Sequence, residues 1–317
     1  KSQSEQLAKF HLEREGTSSL IVTPDKIYNE FSSGVLDVTA IRDFIKMIYD
    51  RADPGKKPKA VLLFGDASFD FKDRISGNNN LVPTMESYEY NNSVTSYCSD
   101  DYYVILGDGE GFWPLGPINE NMDIGISRLP AKSSYEADVL VDKCITYKTV
   151  SNKGEWRSNM IVLGDDEDGD RHMIDSEVLA DLAEKEFPPI NVNKIYFDAY
   201  KQVSLGNGNA YPDVNEAINN SIAKGTLLFN YLGHGGGSGM GHERVVTRPQ
   251  ILSWRNYDRL TYFVTGTCDL AQYDNPKEES PGEMMMSNDQ GGAIGMMTTT
   301  RKVYIGLNTS FSEFLFN

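Results

Sequence analysis

Short runs of apolar and β-branched residues alternate along the chain with stretches whose apolar positions recur every three or four residues. The runs at 18–23 (SSLIVT), 59–65 (KAVLLFG), 159–165 (NMIVLGD), 193–199 (NKIYFDA), 226–233 (TLLFNYLG), 260–268 (LTYFVTGTC) and 292–300 (GAIGMMTTT) read as strands. Helical spacing predicts helices over 38–52, 135–149, 175–186, 213–225, 281–288 and 308–316. In the first of these, Ile41, Phe44, Ile45 and Ile48 share one face. Strands alternating with helices predict an α/β fold, with parallel-dominated sheets flanked by helices and right-handed crossovers. A break near Ser151 divides the chain into two α/β subdomains, 1–150 and 151–317. The exits VLLFGDASFD (61–70) and IVLGDDEDGD (161–170) are alike. They fit either an internal duplication or the usual polar end of a buried strand.

Composition narrows the function classes. The 317 residues carry a formal net charge of −16, which argues against nucleic acid as a partner, because phosphate backbones are held by basic surfaces. No apolar run is long enough for a membrane helix. Residue 1 is Lys and no signal peptide is visible, which points to a processed product or an excised domain. The three cysteines, Cys98, Cys144 and Cys268, form no CxxC and suggest no disulfide framework.

In open parallel sheets the chemistry gathers beyond the carboxyl ends of the strands. The exits to inspect are Asp66, Asp165, Asp166, His234 and Cys268. His234 ends one strand and is followed by glycine at five of the next seven positions, in the segment YLGHGGGSGMGHE. Cys268 ends another strand 34 residues on. If the two strands are neighbours, both side chains emerge at one edge, and an imidazole there would draw the thiol towards its nucleophilic thiolate. Acyl transfer also needs backbone N–H donors at the developing oxyanion. Gly235, with no side chain to block a carbonyl, and Cys268 itself are the natural pair. The competing reading makes Cys268 a small core residue and His234 a partner for turn backbone. The P-loop, G-x-G-x-x-G, G-x-S-x-G and zincin patterns all fail here. His234, His242 and Cys268 could bind zinc, but no fourth ligand is evident in the sequence.

The histidine segment YLGHGGGSG resembles the Y-x-G-H-G motif of the gingipain-type cysteine peptidases, relatives of the caspases, and TYFVTGTCDLAQYDNP resembles their cysteine segment. MDIGISRLPAKSSYEADVLVDKCITYK (122–148) resembles the family's D-I-x-V-G-R-[LF] strand with the helix after it. The resemblance implies a caspase/gingipain-like fold, with 1–150 non-catalytic and 151–317 catalytic. It implies Cys268 as nucleophile and His234 as base and acid. FGDASFDF, CSDDYY and YLGHGGGSGMGHE look most like the branch that serves as the sortase of type IX secretion in Bacteroidota. That likeness implies removal of the C-terminal signal domain from secreted cargo at the outer face of the outer membrane. It also implies transfer of the cargo to an amine of anionic lipopolysaccharide and an outer-membrane β-barrel partner. No cofactor is needed for this chemistry.

The acidic loop GDDEDGDRH (164–172) is the second candidate. By resemblance, Asp165 or Asp166 would lie near the catalytic histidine, Asp166 being the choice here, and Asp170 would line the pocket for the substrate side chain. A carboxylate beside His234 would orient it as the third member of a triad does. Asp166, Asp168, Asp170 and Glu177 also fall on positions 1, 3, 5 and 12 of an EF-hand loop. Arg171 stands where that loop needs glycine, so only a looser structural calcium site is expected, in keeping with the calcium for which the family is known. A solvated acidic loop is the plain alternative. Two other functions compete: a catalytically silent caspase-like module that binds cargo or secretion components, and a divalent-metal hydrolase built on the acidic loop.

Overall fold

The structure is a computed structural model that describes residues 1–88, 91–92, 94–111, 120–149, 153–206 and 208–316. The expected break at Ser151, the Gly/Trp/Pro stretch from 112 to 117, and parts of the Tyr-rich segment at 87–105 lie outside the described residues. The chain forms two compact units, one of residues 1–141 with 273–278, the other of 142–272 with 279–317.

The first unit carries the helices Ser2–Glu15 (α1), Pro24–Phe31 (α2) and Val38–Arg51 (α3). Strands Ala60–Phe64 (β1) and Gly125–Leu129 (β4) pair in parallel. Met85–Glu86 (β2) and Cys98–Ser99 (β3) form a short antiparallel ladder. Asp37 starts α3 by accepting the Thr39 N–H at 2.8 Å, an N-cap worth ~1 kcal/mol. Ile41 and Ile45 then enter a core with Ile27, Leu63, Tyr103 and Val104. In that core Arg128 is buried and forks onto Asp100 through Nε and Nη2, both at 2.7 Å. It also donates to the carbonyls of Gly65 and Val82, so every face of the guanidinium is satisfied. The expected strand at 18–23 does not form. The segment has no ladder partner, and Leu20 and Ile21 are exposed.

The helix Ser134–Thr149 (α4) crosses the boundary between the units. The second unit is built on a five-stranded sheet of Asn159–Gly164 (β5), Asn191–Tyr196 (β6), Leu228–Leu232 (β9), Thr261–Gly266 (β13) and Ala293–Met297 (β14). The order is β14-β13-β9-β5-β6, and every pairing is parallel. Between them run the helices Arg171–Glu186 (α5), Pro212–Lys224 (α6), Arg248–Ser253 (α7) and Pro281–Ser287 (α8), with Ile305–Phe316 (α9) closing the unit. Val203–Leu205 (β7) with Gly208–Ala210 (β8) makes a small ladder. Gly235–Gly236 (β10), Gly239–Met240 (β11) and Val246–Thr247 (β12) make another. The sheet is apolar on both faces, as parallel sheets are. Met160, Val162, Leu163 and Phe229 are buried, and the Phe229 and Phe263 rings pack 4.9 Å apart. Burial of each such side chain contributes about 1.5–3 kcal/mol. Ser280 and Glu283 form a capping box that sets the start of α8. Among the described residues no helix is long and apolar enough to cross a membrane.

The chain leaves β5 towards β6 at one edge, and leaves β9 towards β13 on the other side. The carboxyl ends of β5 and β9 are therefore the topological switch point, where open α/β sheets bind their ligands. The acidic loop and the glycine-rich turn both start there.

Candidate active site

β9 and β13 are neighbours in register, with Leu232 opposite Gly266 as the last pair. His234 and Cys268 each lie two residues further along. Neighbouring strands run about 4.8 Å apart, so the two residues leave the sheet side by side. Cys268 is half-buried, with Sγ 4.0 Å from the Val303 carbonyl. Its loop is pinned from the segment after β14. Asp269 N donates to Arg301 O, Ala271 N donates to Thr299 O, and the Thr299 hydroxyl donates to Thr267 O. Asp269, the residue after the cysteine, is held at φ 51°, a left-handed conformation that costs energy for a residue with a Cβ.

The imidazole of His234 meets the loop after β5. Its Nε2 lies 3.1 Å from Asp168 Oδ2 and 3.4 Å from Glu167 Oε2. The backbone N–H of His234 donates to Asp165 Oδ2 at 2.8 Å. Asp165 is fully buried, and the Tyr231 hydroxyl lies 3.0 Å from the same oxygen. Burial, with the Asp165 charge beside it, pushes the Tyr231 phenol well above its ordinary range. Asp165 thus fixes the turn that carries the imidazole, while Asp168 and Glu167 face the ring.

This corrects the choice of Asp166 as the carboxylate at His234. Its Oδ2 accepts from Tyr211 instead, at 2.7 Å. The reason is a left-handed run at Asp168, Gly169 and Asp170, with φ 58°, 64° and 66°, which swings Asp168 back to the histidine. Asp170 stands exposed at the start of α5.

The glycine-rich turn is a tight hairpin. Gly241 N donates to His234 O at 2.8 Å, and the next pair, Gly235 with Met240, is by alternation the non-hydrogen-bonded kind. The N–H of Gly235 therefore points away from β11. A Cβ on Gly235 would run into Thr267 Oγ1 and stand 3.1 Å from Gly239 O. Glycine is required here by close approach.

The loose calcium set is also corrected. Glu177 is engaged by Lys194 Nζ at 2.8 Å and by the Tyr196 hydroxyl at 2.6 Å. Among the described residues no metal-sized group joins it to Asp166, Asp168 and Asp170. A different all-oxygen group does form, from Asp165, Asp166 and Glu243, with ligand atoms within 4.8 Å of one another. Asp166 Oδ1 and Glu243 Oε2 are buried there without a hydrogen-bond donor. Burial, then the neighbouring carboxylates Asp166, Asp165 and Glu167, push the Glu243 carboxyl up. Orphaned carboxylate oxygens of this kind fit a hard cation such as calcium.

Sequence reasoning does not single out Glu167 or His172. His172, in the first turn of α5, is buried, and its ring stands edge-on to His234 with centroids 5.3 Å apart. His242 stacks on His234 at 4.7 Å, and its Nδ1 lies 2.7 Å from Glu167 Oε2. Three of the four histidines therefore meet at one exit of the sheet. The available signal was the segment GDDEDGDRH, which contains both Glu167 and His172.

The sequence matches the profile of Peptidase family C25 over residues 1–317. No curated protein matches the chain in sequence. The fold is similar to the crystal structure of the Arg-specific cysteine proteinase gingipain R, with a TM-score of 0.73 at 17% identity over 98% of this chain and 63% of that one. It is also similar to the complex of the Porphyromonas gingivalis RgpB pro- and mature domains, with a TM-score of 0.72 at 16% identity over 100% of this chain and 67% of that one. The chain thus spans less than two thirds of the gingipain R structure. A profile match over residues 1–317 and a shared gingipain-like fold, with a histidine leaving β9 at the switch point and a cysteine leaving its neighbour β13, lead to one conclusion: the chain belongs to peptidase family C25.

Proposed function

We propose that the chain is a cysteine endopeptidase and transpeptidase in which Cys268 is the nucleophile and His234 moves the proton. The observation that carries this reading is the register of β9 and β13, which sets the two residues side by side two positions beyond Leu232 and Gly266. With Nε2 of His234 turned to Asp168 and Glu167, Nδ1 is the ring atom for the thiol. The carboxylates favour the imidazolium that forms when the thiol proton moves to the ring. The Cys268 thiolate then attacks the scissile carbonyl. The N–H groups of Gly235 and Cys268 receive the developing oxyanion. His234 returns the proton to the leaving amine as the C–N bond breaks, and a thioester remains. Attack by water gives hydrolysis; attack by an amine gives a conjugate and restores the thiol.

For the finer role we propose the sortase of type IX secretion. It would act on cargo bearing a C-terminal signal domain and use an amine of anionic lipopolysaccharide as acceptor, at the cell surface beside an outer-membrane β-barrel. FGDASFDF, CSDDYY and YLGHGGGSGMGHE support that branch. Asp170, exposed at the start of α5, is the candidate contact for the substrate side chain. A structural calcium ion would be held by Asp165, Asp166 and Glu243, and would brace the loop that anchors His234. The direct test is Cys268→Ala in cells, with intact-mass analysis of secreted cargo. The expected result is cargo that keeps its C-terminal domain and lacks glycolipid. Normal processing at equal expression would leave a silent binding module as the answer. In the isolated protein, Cys268 should react with iodoacetamide much faster than Cys144, whose thiol burial pushes up.

A further inference from the structure

The sequence marks His234 and His242 as metal-ligand types without a complete set, and peptidase chemistry leaves His242 and His172 unused. The structure supplies the missing partners. Glu167, His234 and His242 bring ligand atoms within 4.8 Å of one another, and so do Asp168, His172 and His234. His234 Nε2 is common to both groups. It lies 3.4 Å from Glu167 Oε2 and 3.1 Å from Asp168 Oδ2. His242 Nδ1 lies 2.7 Å from that Glu167 oxygen, and His172 Nε2 lies 3.3 Å from that Asp168 oxygen.

The ligand atoms around a tetrahedral zinc ion, with bonds near 2.0–2.2 Å, stand roughly 3.3 Å apart. The observed spacings fall around that value. An independent observation points the same way. His172 Nε2 is buried, the residue being 5% exposed, and faces the cluster without an aligned hydrogen bond, Asp168 Oδ2 lying 3.3 Å away. A buried imidazole nitrogen without an aligned hydrogen bond costs free energy unless something accepts its lone pair or its proton. The two imidazoles and the carboxylate of Asp168, His172 and His234 form a borderline-soft donor set suited to zinc. It is chemically distinct from the all-oxygen group at Asp165, Asp166 and Glu243.

We propose that Asp168, His172 and His234 form a zinc-class site whose occupation switches the peptidase off. The consequence rests on the Cys268–His234 reading. A neutral imidazole bound to a metal through Nε2 carries its remaining proton on Nδ1. Nδ1 then has no lone pair to take the thiol proton, and Cys268 stays a thiol. Removing the ion frees Nε2, and the tautomer can change.

Metal binding can be measured apart from catalysis. Cys268→Ala protein, stripped with a chelator and dialysed, is titrated with zinc chloride by calorimetry. One zinc per chain is expected, with X-ray absorption at the bound zinc showing imidazole and oxygen neighbours and no sulfur. His172→Asn should weaken binding at least tenfold, whereas His242→Asn, at an exposed position outside the group, should leave it within about twofold. No binding, or binding untouched by His172→Asn, would overturn the site. In the Cys268 enzyme, zinc inhibition is read against each variant's own metal-free rate. Weaker inhibition in His172→Asn supports the switch. Equal inhibition would mean that zinc is caught by the Cys268–His234 pair alone, and binding without inhibition would reduce the ion to a structural one; either result overturns it. A chain with no peptidase activity in any state, but with an intact zinc isotherm, would sink the catalytic reading and leave the site standing.

Discussion

Asp165 holds His234 by its backbone and not by its ring: Asp165 Oδ2 accepts the His234 N–H at 2.8 Å. The aspartate is fully buried, so its charge is compensated by a small set of donors, chiefly that N–H, the Tyr231 hydroxyl and the Glu167 N–H. Hydrogen bonds to a charged group are worth about 1.5–3 kcal/mol each. Asp165→Asn keeps the shape but loses the charge and turns one acceptor into a donor. We expect a loss of about 2–3 kcal/mol in urea unfolding, together with a fall in kcat larger than any change in KM. Unchanged stability would show that the turn is held by something else.

The ring itself is faced by two carboxylates, Asp168 at 3.1 Å and Glu167 at 3.4 Å. Either can favour the imidazolium, so each covers in part for the other. Asp168→Asn and Glu167→Gln should each lower kcat/KM by about tenfold, roughly 1.4 kcal/mol of transition-state stabilisation. The double variant should fall well beyond the product of the two single losses. Strictly multiplicative effects in steady-state kinetics would mean that the carboxylates act independently. Asp166→Asn should act only through the loop that calcium braces, because its carboxylate is turned to Tyr211 and not to the ring; excess calcium should bring its rate within a few-fold of the parent.

The strand exits that carry the chemistry were legible because buried parallel strands are nearly continuous apolar runs, and the first polar residue after such a run marks the sheet edge. TLLFNYLGH and LTYFVTGTC both have this form. Which acidic residue faces His234 was not legible. Four of the five residues at 165–168 and 170 are aspartate, and the choice is made by three successive left-handed residues at 168–170, which composition does not reveal. His172 was missed because its role depends on α5 beginning at Arg171 and not at 175. SSLIVT has strand-forming residues but no ladder partner to receive them. α1 escaped notice because it buries only Leu7 and has almost no apolar periodicity.

Gly235 is required by what lies over it. An added Cβ would run into Thr267 Oγ1, with Gly239 O at 3.1 Å and Thr267 Cβ at 3.4 Å as the next contacts. Gly235→Ala should therefore cut kcat by about a hundredfold, roughly 2.7 kcal/mol, by displacing the N–H aimed at the oxyanion. Thr267→Ala removes the offending hydroxyl and leaves only the longer contacts. The double variant should recover about tenfold of the loss, a coupling that steady-state kinetics on the four proteins would reveal. No recovery would place the fault in the backbone and not in the clash.

Three carboxylates, Asp165, Asp166 and Glu243, converge with two buried oxygens that lack donors. A calcium ion there would stabilise the folded chain in proportion to its occupancy, by about 2.7 kcal/mol at a hundredfold excess over Kd. Calcium should raise Tm in a concentration-dependent way, and chelation should reverse it. Glu243→Gln should lose most of that increment in scanning calorimetry. An increment unaffected by Glu243→Gln would place the ion elsewhere.

Lys143 is buried on α4 and donates to the carbonyls of Met286 at 2.7 Å, Met285 at 3.3 Å and Ala293 at 3.4 Å. The first two lie near the carboxyl end of α8, where a cation is favoured. Burial nevertheless pulls the ammonium down to about 7, against an ordinary lysine value near 10.4. Between those values the unfolded chain binds the proton and the folded chain does not. Stability therefore rises with pH through that window and is lost as pH falls towards 7. From pH 7 to pH 9 the gain is at most about 2 kcal/mol, the carbonyls drawing it below that limit by favouring the charged form. Urea unfolding of the protein and of Lys143→Met at both pH values isolates this contribution. The stability difference should move in favour of the lysine protein at pH 9. A difference that stays constant would mean that the carbonyls hold Lys143 charged throughout, and that burial is outweighed by the acceptors at the end of α8.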